Sequence, residues 1–183
     1  MQPIDILMIN EEAEKKEDLI KVIDEAGKYF PQKSWGAINY LGKLHLDHDV
    51  KIGTDGKSVG AFFFEKLIGK IKEATDRDSL VGLLLGITLD PVLVMHYSFD
   101  GKNFRRTGYF VHDYIAKKIG IVSFFRINKL SYAKIVAHGL GHNKGLNHHT
   151  YPIDLMYVEL PKEPRLQVEG FCNFCLRKLK MID

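Results

Sequence analysis

Apolar residues recur along the first half of the chain at two spacings, one typical of strands and one typical of helices. Residues 4–9 form a short apolar run that predicts a first strand, and residues 35–41 predict a second. Between them, residues 11–30 place apolar side chains on one face and charged side chains on the other, which predicts a helix that ends at Pro31. The same helical spacing over residues 59–74 predicts a second helix.

The second half of the chain contains its most apolar segment. Residues 80–89 are almost uninterrupted in their apolar character, which is typical of a central strand covered on both faces. Residues 131–144 predict a helix that Ser131 caps and that ends at Gly145. Further strands are expected at residues 93–99, 108–112 and 119–127, and a short terminal helix at residues 175–181. This order of elements predicts an α/β or α+β fold with a twisted sheet.

The composition is that of an ordinary globular domain. Of the 183 residues, 45% are hydrophobic and 27% are charged, and the formal net charge is only +3. The lysines are mixed with glutamates and form no basic stripe, so a nucleic-acid partner is not expected. No apolar window approaches the roughly 20 residues that a membrane span needs, and the N-terminus lacks the basic segment of a signal peptide. We therefore expect a cytoplasmic protein without a membrane partner.

One segment carries a pattern of metal-ligand residues. His138 and His142 are four residues apart on the predicted helix, so both rings leave the same face one turn apart. Gly145 can adopt a positive φ and turn the chain so that His148 faces the same point. Three imidazoles leave one tetrahedral position open, which is the arrangement of a catalytic zinc site. The alternative, unconnected surface or core histidines, is disfavoured because three of only eight histidines have this spacing.

This segment resembles the metzincin motif H-E-x-x-H-x-x-G-x-x-H, which a Met-turn follows. Gly139 stands at the position of the glutamate, and every other position of the motif matches. Met156 follows His148 at a distance that suits the methionine of the Met-turn. Within the metzincins, the chain resembles the archaemetzincins over about residues 80–175.

The resemblance implies a fold and a division of the chain. We expect a mixed sheet with a backing helix and a second helix that carries the zinc ligands, all in one domain over residues 1–183. Residues 1–145 would form its N-terminal subdomain, and residues 146–183 a small irregular C-terminal subdomain with the Met-turn and a C-x-x-C pair. Residues 121–126 correspond to the edge strand above the cleft, along which a peptide substrate would lie extended.

A second metal site is implied near the C-terminus. In archaemetzincins four cysteines hold a structural zinc, and Cys172 and Cys175 match two of them. Counted from the triad, the other two positions are His149 and Asp154, and both residue types are acceptable zinc ligands. We therefore expect one zinc at the triad and take this Cys₂HisAsp set as a candidate for a second. The alternatives are a lost site with an exposed C-x-x-C pair, and a redox role, for which no thioredoxin-like context is present.

Gly139 replaces the residue that acts as the general base in metzincins. The glutamate there accepts a proton from the attacking water and passes it to the leaving amine. General acid–base catalysis contributes about 10²–10⁴ in rate, so the glycine predicts strongly reduced or absent peptidase activity. Asp154 and Glu159 are near in sequence, but no pattern puts either carboxylate beside the water. Tyr157 is expected to pack, with stabilisation of an oxyanion as the alternative role.

Three functional hypotheses follow. The first is a monomeric zinc metallopeptidase that acts on peptides or proteins with impaired or lost activity. The second is a zinc-dependent module that binds peptides and releases them intact. A third, weaker hypothesis is a metal site that only stabilises the fold.

A cluster of polar residues elsewhere in the chain consists of His45, Asp47, His48 and Asp49. It is more typical of a solvated loop than of an ion site.

Overall fold

The computed structural model describes residues 1–11, 16–31, 34–75, 82–150, 154–158, 160 and 168–181. Within these residues the strands and α-helices are β1 Gln2–Ile9, α1 Lys16–Gly27, β2 Trp35–Leu44, β3 Val50–Thr54, β4 Lys57–Phe63, α2 Phe64–Ala74, β5 Leu83–Thr88, β6 Val92–Phe99, β7 Phe104–Phe110, β8 Asp113–Ile115, β9 Ile119–Ser123, α3 Tyr132–Asn143 and α4 Asn173–Lys180. They form two mixed sheets, and the predicted α/β class is therefore confirmed.

The larger sheet carries the core of the molecule. Its strands lie in the order β2-β1-β5-β9-β8; the first four are parallel, and β8 pairs antiparallel with β9. Along β1, Ile4, Ile6 and Met8 enter the core that α1 and α3 cover, while Leu7 and Ile9 enter the core that α2 covers. Strand β5 is buried at every residue because it lies between these two cores, which explains its unbroken apolar sequence.

The edge of this sheet differs from the prediction. Residues 121–123 belong to β9, which lies between β5 and β8, so they do not form the edge strand that the resemblance implies. In the part of the sheet that the structure describes, the edge strands are β2 and β8, and β8 is the one next to β9. Strand β9 is also shorter than the predicted strand, because the chain leaves it at Ser123 and turns at Arg126, whose φ is +61°.

The smaller sheet corrects a second prediction. The spacing over residues 59–74 predicts one helix, but residues 59–63 belong to β4, and α2 begins only at Phe64. Strand β4 pairs antiparallel with β3 across a turn in which Asp55 and Gly56 have φ values of +51° and +73°. Positive φ at both central residues is typical of a hairpin turn that favours Asp-Gly. Cross-strand pairing therefore outweighs the local helical spacing.

Helix α3 starts without its predicted cap and ends where predicted. Ser131 makes no side-chain capping hydrogen bond and instead ends a 3₁₀ turn, Lys129–Ser131, so the predicted cap is wrong. The side chain of Asn128 caps this turn by accepting a hydrogen bond from the Leu130 amide at 3.0 Å. At the other end, Gly145 has φ +76°, and its amide donates to the carbonyl of His142.

The described residues after Gly145 contribute to the same core as the larger sheet. Leu146, Leu155, Phe171 and Leu179 are buried in the cluster that contains the side chains of α1 and α3. The division into two subdomains at residue 145 stays a prediction. None of the helices in the described part of the chain combines the length and apolar character that crossing a lipid bilayer requires.

Candidate metal centre

Helix α3 and the loop after it bring three imidazoles together. His138 and His142 lie one helical turn apart, and His148 approaches them from the loop beyond Gly145. The Nε2 atoms of His138 and His142 are 3.1 Å apart, and each is 3.0 Å from Nε2 of His148. His138 is buried and His148 is exposed, so the group opens to solvent on the side of the loop.

Hydrogen bonds at the other ring nitrogens determine the tautomers of two of these histidines. Nδ1 of His138 donates to the carbonyl of Leu155 at 2.5 Å, and Nδ1 of His142 donates to the carbonyl of Leu146 at 2.9 Å. Because a carbonyl only accepts, both Nδ1 atoms carry the proton, and both Nε2 atoms of the neutral rings have free lone pairs. Lone pairs that face each other repel, and a cation between them removes that repulsion.

Burial also keeps the three imidazoles neutral. It lowers the pKa of His138, and burial together with the neighbouring His138 lowers the pKa of His142. For His148, burial and then repulsion from His138 and His142 lower the pKa to about 4. The neutral imidazole is the form that binds a metal, so the geometry and the protonation of the site agree.

The spacing of the nitrogens fits zinc. An ion about 2.0–2.1 Å from each nitrogen in a tetrahedral arrangement holds its ligands about 3.3 Å apart. The measured distances of 3.0 and 3.1 Å are close to this value. Three neutral imidazoles with a fourth position open to solvent are the donor set of a catalytic zinc site.

Met156 lies directly under the helix that carries the histidines. Its side chain is fully buried, and a Cβ at Gly141 would lie 2.8 Å from its sulfur. Gly141 therefore allows the methionine to approach the backbone of α3 between the two histidines. Tyr157 is partly buried against the same core, in agreement with its expected packing role. The role of Met156 as a Met-turn residue stays a prediction.

A second group of ligand atoms lies beside α4. Atoms of His149, Asp154, Cys172 and Cys175 all lie within 4.8 Å of one another. Nε2 of His149 is 2.8 Å from Oδ2 of Asp154, 3.8 Å from Sγ of Cys172 and 3.6 Å from Sγ of Cys175. Ligand sulfur and nitrogen atoms on one tetrahedral zinc are about 3.6 Å apart, so the two nitrogen–sulfur distances match those of a shared zinc ion, whereas His149 and Asp154 are at hydrogen-bond distance.

The hydrogen bonds around Asp154 favour its anionic form, which is the form that binds a metal. Burial alone would raise the pKa of its carboxyl, but hydrogen bonds from Cys172 and from the amide of Met156 outweigh burial and lower it. Burial raises the pKa of the Cys175 thiol far above its usual range. A bound metal would offset this effect, because a coordinated thiol is deprotonated.

Asp113, which the sequence analysis does not identify, lies beside the triad. It is the first residue of β8, its side chain is only 4% exposed, and its Oδ2 is 3.9 Å from Nε2 of His138. Burial raises the pKa of the Asp113 carboxyl to about 7, against the opposing effects of His142 and His112. No local signal identifies this residue, because only the pairing of β8 with β9 brings it to α3.

The other polar residues considered from the sequence do not join this site. Asp154 belongs to the second group, and Glu159 lies outside the described residues. Asp49 binds Lys70 at 3.0 Å and the amide of Phe63 at 2.9 Å, which anchors the junction of β4 and α2. Among the described residues, none of the cluster formed by His45, Asp47, His48 and Asp49 belongs to a converging group of metal-ligand atoms.

Comparison with known proteins agrees with the fold. Archaemetzincin from Methanopyrus kandleri is similar with a TM-score of 0.61 and 16% sequence identity, covering 99% of this chain and 95% of that chain. A zinc-dependent peptidase from Methanocorpusculum labreanum is similar with a TM-score of 0.58 and 15% identity, covering 96% of this chain and 99% of that chain. No protein-family model matches the chain, and no curated protein is significantly similar to it. The resemblance to archaemetzincins is thus confirmed at the level of the fold.

Proposed function

We propose that this chain is a zinc-dependent peptidase whose metal is held by His138, His142 and His148. The observation that carries the proposal is the convergence of their three Nε2 atoms within 3.1 Å, at nitrogens free to bind a metal. The archaemetzincin-like fold supports it, and the similar protein from Methanocorpusculum labreanum is described as a zinc-dependent peptidase.

The residues of the chain orient the site, and the metal supplies the reactivity. When bound, zinc lowers the pKa of water at its open position to about 7 and polarises a substrate carbonyl. The carbonyls of Leu155 and Leu146 hold the rings of His138 and His142 in the orientation that directs Nε2 to the metal. Such hydrogen bonds at the opposite ring nitrogen are typical of histidines that bind metals.

The substrate we propose is an extended peptide along β8. This strand forms one of the two described edges of the larger sheet, and an extended chain adds to such an edge through backbone hydrogen bonds. Its residue Asp113 lies 3.9 Å from His138, so a peptide on this edge passes close to the metal ligands. Strand β8 thus replaces residues 121–126 as the strand that would align the substrate.

A specific observation favours a second function, the binding of peptides without hydrolysis. Gly139 provides no proton acceptor at the position from which the metzincin motif supplies its general base. Loss of a general base costs about 10²–10⁴ in rate, whereas the metal site and the sheet edge that hold a peptide would remain. This module would retain zinc and bind peptides but release them unchanged.

Zinc content and peptide cleavage test the proposal. We expect the zinc-loaded protein to cleave members of a mixed peptide library, and His148→Ala to lose both triad zinc and cleavage. His148 is exposed, so its removal leaves the core intact. His96→Ala, which removes an exposed histidine on β6, is the matched control and should change neither property. Peptide binding with no cleavage would favour the second function, and unchanged zinc content in His148→Ala would contradict both.

We also propose a second, structural zinc at His149, Asp154, Cys172 and Cys175. Its support is the close approach of four ligand atoms of suitable chemistry, of which Asp154 and Cys175 are buried. This ion would tie α4 to the segment that contains Met156, because Asp154 accepts a hydrogen bond from the Met156 amide.

A further inference from the structure

Side chains of strand β8 fill the space beside Gly139, where the metzincin motif has its glutamate. A Cβ at Gly139 would lie 2.8 Å from Cδ1 of Ile115 and 3.0 Å from Oδ2 of Asp113. Both contacts come from β8, which packs across this part of α3. The space in which a side chain at residue 139 would begin is therefore occupied by a carboxylate and an isoleucine of the edge strand.

Asp113 is held in an environment unusual for a carboxylate. Its side chain is 4% exposed, and its Oδ2 has no hydrogen-bond partner among the described residues. The nearest metal-ligand atom is Nε2 of His138 at 3.9 Å, and that nitrogen carries a lone pair because Nδ1 donates to Leu155. Two acceptors thus face each other. A water molecule at the metal would satisfy the carboxylate, because it can donate a hydrogen bond to Oδ2.

We infer that Asp113 is the general base of this site and supplies from β8 the carboxylate that Gly139 does not supply from α3. The inference rests on the proposed zinc-dependent hydrolysis and identifies the group that moves its proton. It also accounts for Gly139: a side chain there would displace Asp113 from the site.

The proposed reaction consumes one water and one peptide bond. Oδ2 of Asp113 accepts a proton from the attacking water, while the water oxygen bonds to the carbonyl carbon and the carbonyl π electrons move to the carbonyl oxygen. The protonated Asp113 then returns the proton to the amide nitrogen. The carbon–nitrogen bond breaks with its electron pair on nitrogen, which releases an amine and a carboxylic acid. Asp113 ends as a carboxylate, as it began.

The distances favour a base rather than a fourth zinc ligand. Two atoms bound to one tetrahedral zinc at 2.0–2.2 Å are about 3.3–3.6 Å apart. Oδ2 of Asp113 is 3.9 Å from Nε2 of His138, and among the described residues Asp113 does not belong to the group of ligand atoms that converge at the triad. Asp154 cannot take the role, because its oxygens bind His149 and the amides of Met156 and Cys172.

The test compares Asp113→Asn with the wild-type protein and with Asp100→Asn, which changes an aspartate in the β6–β7 turn. Asp113→Asn should lower kcat for peptide cleavage about 10²–10⁴-fold, with KM and zinc content unchanged. Asp100→Asn should change none of these quantities. Asp113→Ser, which leaves a small polar side chain, should reproduce the loss. Full activity in Asp113→Asn beside an active wild type would overturn the inference and leave the proposed function standing.

A second measurement does not depend on activity. In the metal-free protein at pH 8.5, where the carboxyl is ionised, Asp113→Asn should raise the thermal unfolding midpoint, because it replaces a buried unpaired carboxylate by an amide that can donate to Nε2 of His138. A lower midpoint would indicate a structural role, and loss of zinc from the variant would indicate a ligand. Either result would overturn the inference. An inactive wild type would remove the proposed function itself, and the assignment of Asp113 as a base would go with it.

Discussion

At the scale of single residues, the packing beside the site depends on two glycines that have no side chain. Ile115 lies between two glycines: a Cβ at Gly120 would approach its Cγ1 to 2.9 Å, and a Cβ at Gly139 would approach its Cδ1 to 2.8 Å. These glycines let β8 lie close to both β9 and α3. The glycine in the zinc-binding motif therefore has a packing role, which the sequence comparison with the motif does not reveal.

Gly139→Ala measures this packing directly. Alanine favours a helix by about 1 kcal/mol over glycine, but an overpacked core costs about 1–3 kcal/mol. We expect a net loss of about 1 kcal/mol in the free energy of unfolding, measured by urea titration of the metal-free protein. In an Ile115→Ala background, which lacks both Cγ1 and Cδ1, the same substitution should cost less, because only the contact with Asp113 remains. Equal effects in both backgrounds would show that Ile115 and residue 139 do not interact.

At the scale of elements, the C-terminal helix depends on its neighbours. Helix α4 has eight residues and no side-chain cap at Cys172, and so short a helix is marginal on its own. Leu179 is buried in the core, and Lys178 donates to the carbonyl of Gly145 at 2.7 Å. A zinc ion at Cys172 and Cys175 would add a third attachment next to the loop that carries His148.

Metal counting by native mass spectrometry tests this attachment. We expect two zinc ions in the wild-type protein and one in Cys175→Ser, which should keep the triad zinc and any peptidase activity. Helix α4 should also become more susceptible to proteolysis in this variant, because it loses a point of attachment. Asn173→Ala, an exposed change on the same helix, serves as the control and should bind two ions. A single zinc in the wild-type protein would contradict the second site.

At the scale of the whole molecule, the metal centres connect the sheet core to the C-terminal segment. The ligands come from α3, from the loop after it, from Asp154 and from the start of α4, so neither of the two metal-ligand groups among the described residues is complete within one element. Without zinc, the buried imidazoles stay neutral in the folded protein, whereas the same imidazoles in the unfolded chain can bind protons. The stability of the metal-free protein should therefore depend on pH.

We expect the metal-free protein to lose stability as the pH falls from about 6.5 towards 4. Burial lowers the folded-state pKa values of His112, His138, His142 and His148 from 6.5, so in this range the unfolded chain binds more protons. Asp113 acts in the opposite direction, because its pKa is raised to about 7, but it is one group against four. Urea midpoints in a chelator at pH 7.5, 6 and 5 measure the effect. Midpoints that do not fall with pH would contradict the assigned protonation states.

The sequence by itself determined what depends on local geometry. Four-residue spacing on a helix puts His138 and His142 on one face, and Gly145 permits the turn to His148, so the first site could be predicted. Burial on both faces requires an apolar strand, so β5 could be predicted too. The tertiary structure alone decided which segments pair and what faces the histidines. Strand β4, the edge strand β8 and the carboxylate of Asp113 beside His138 depend on contacts between distant segments, whose energies leave no periodic pattern along the chain.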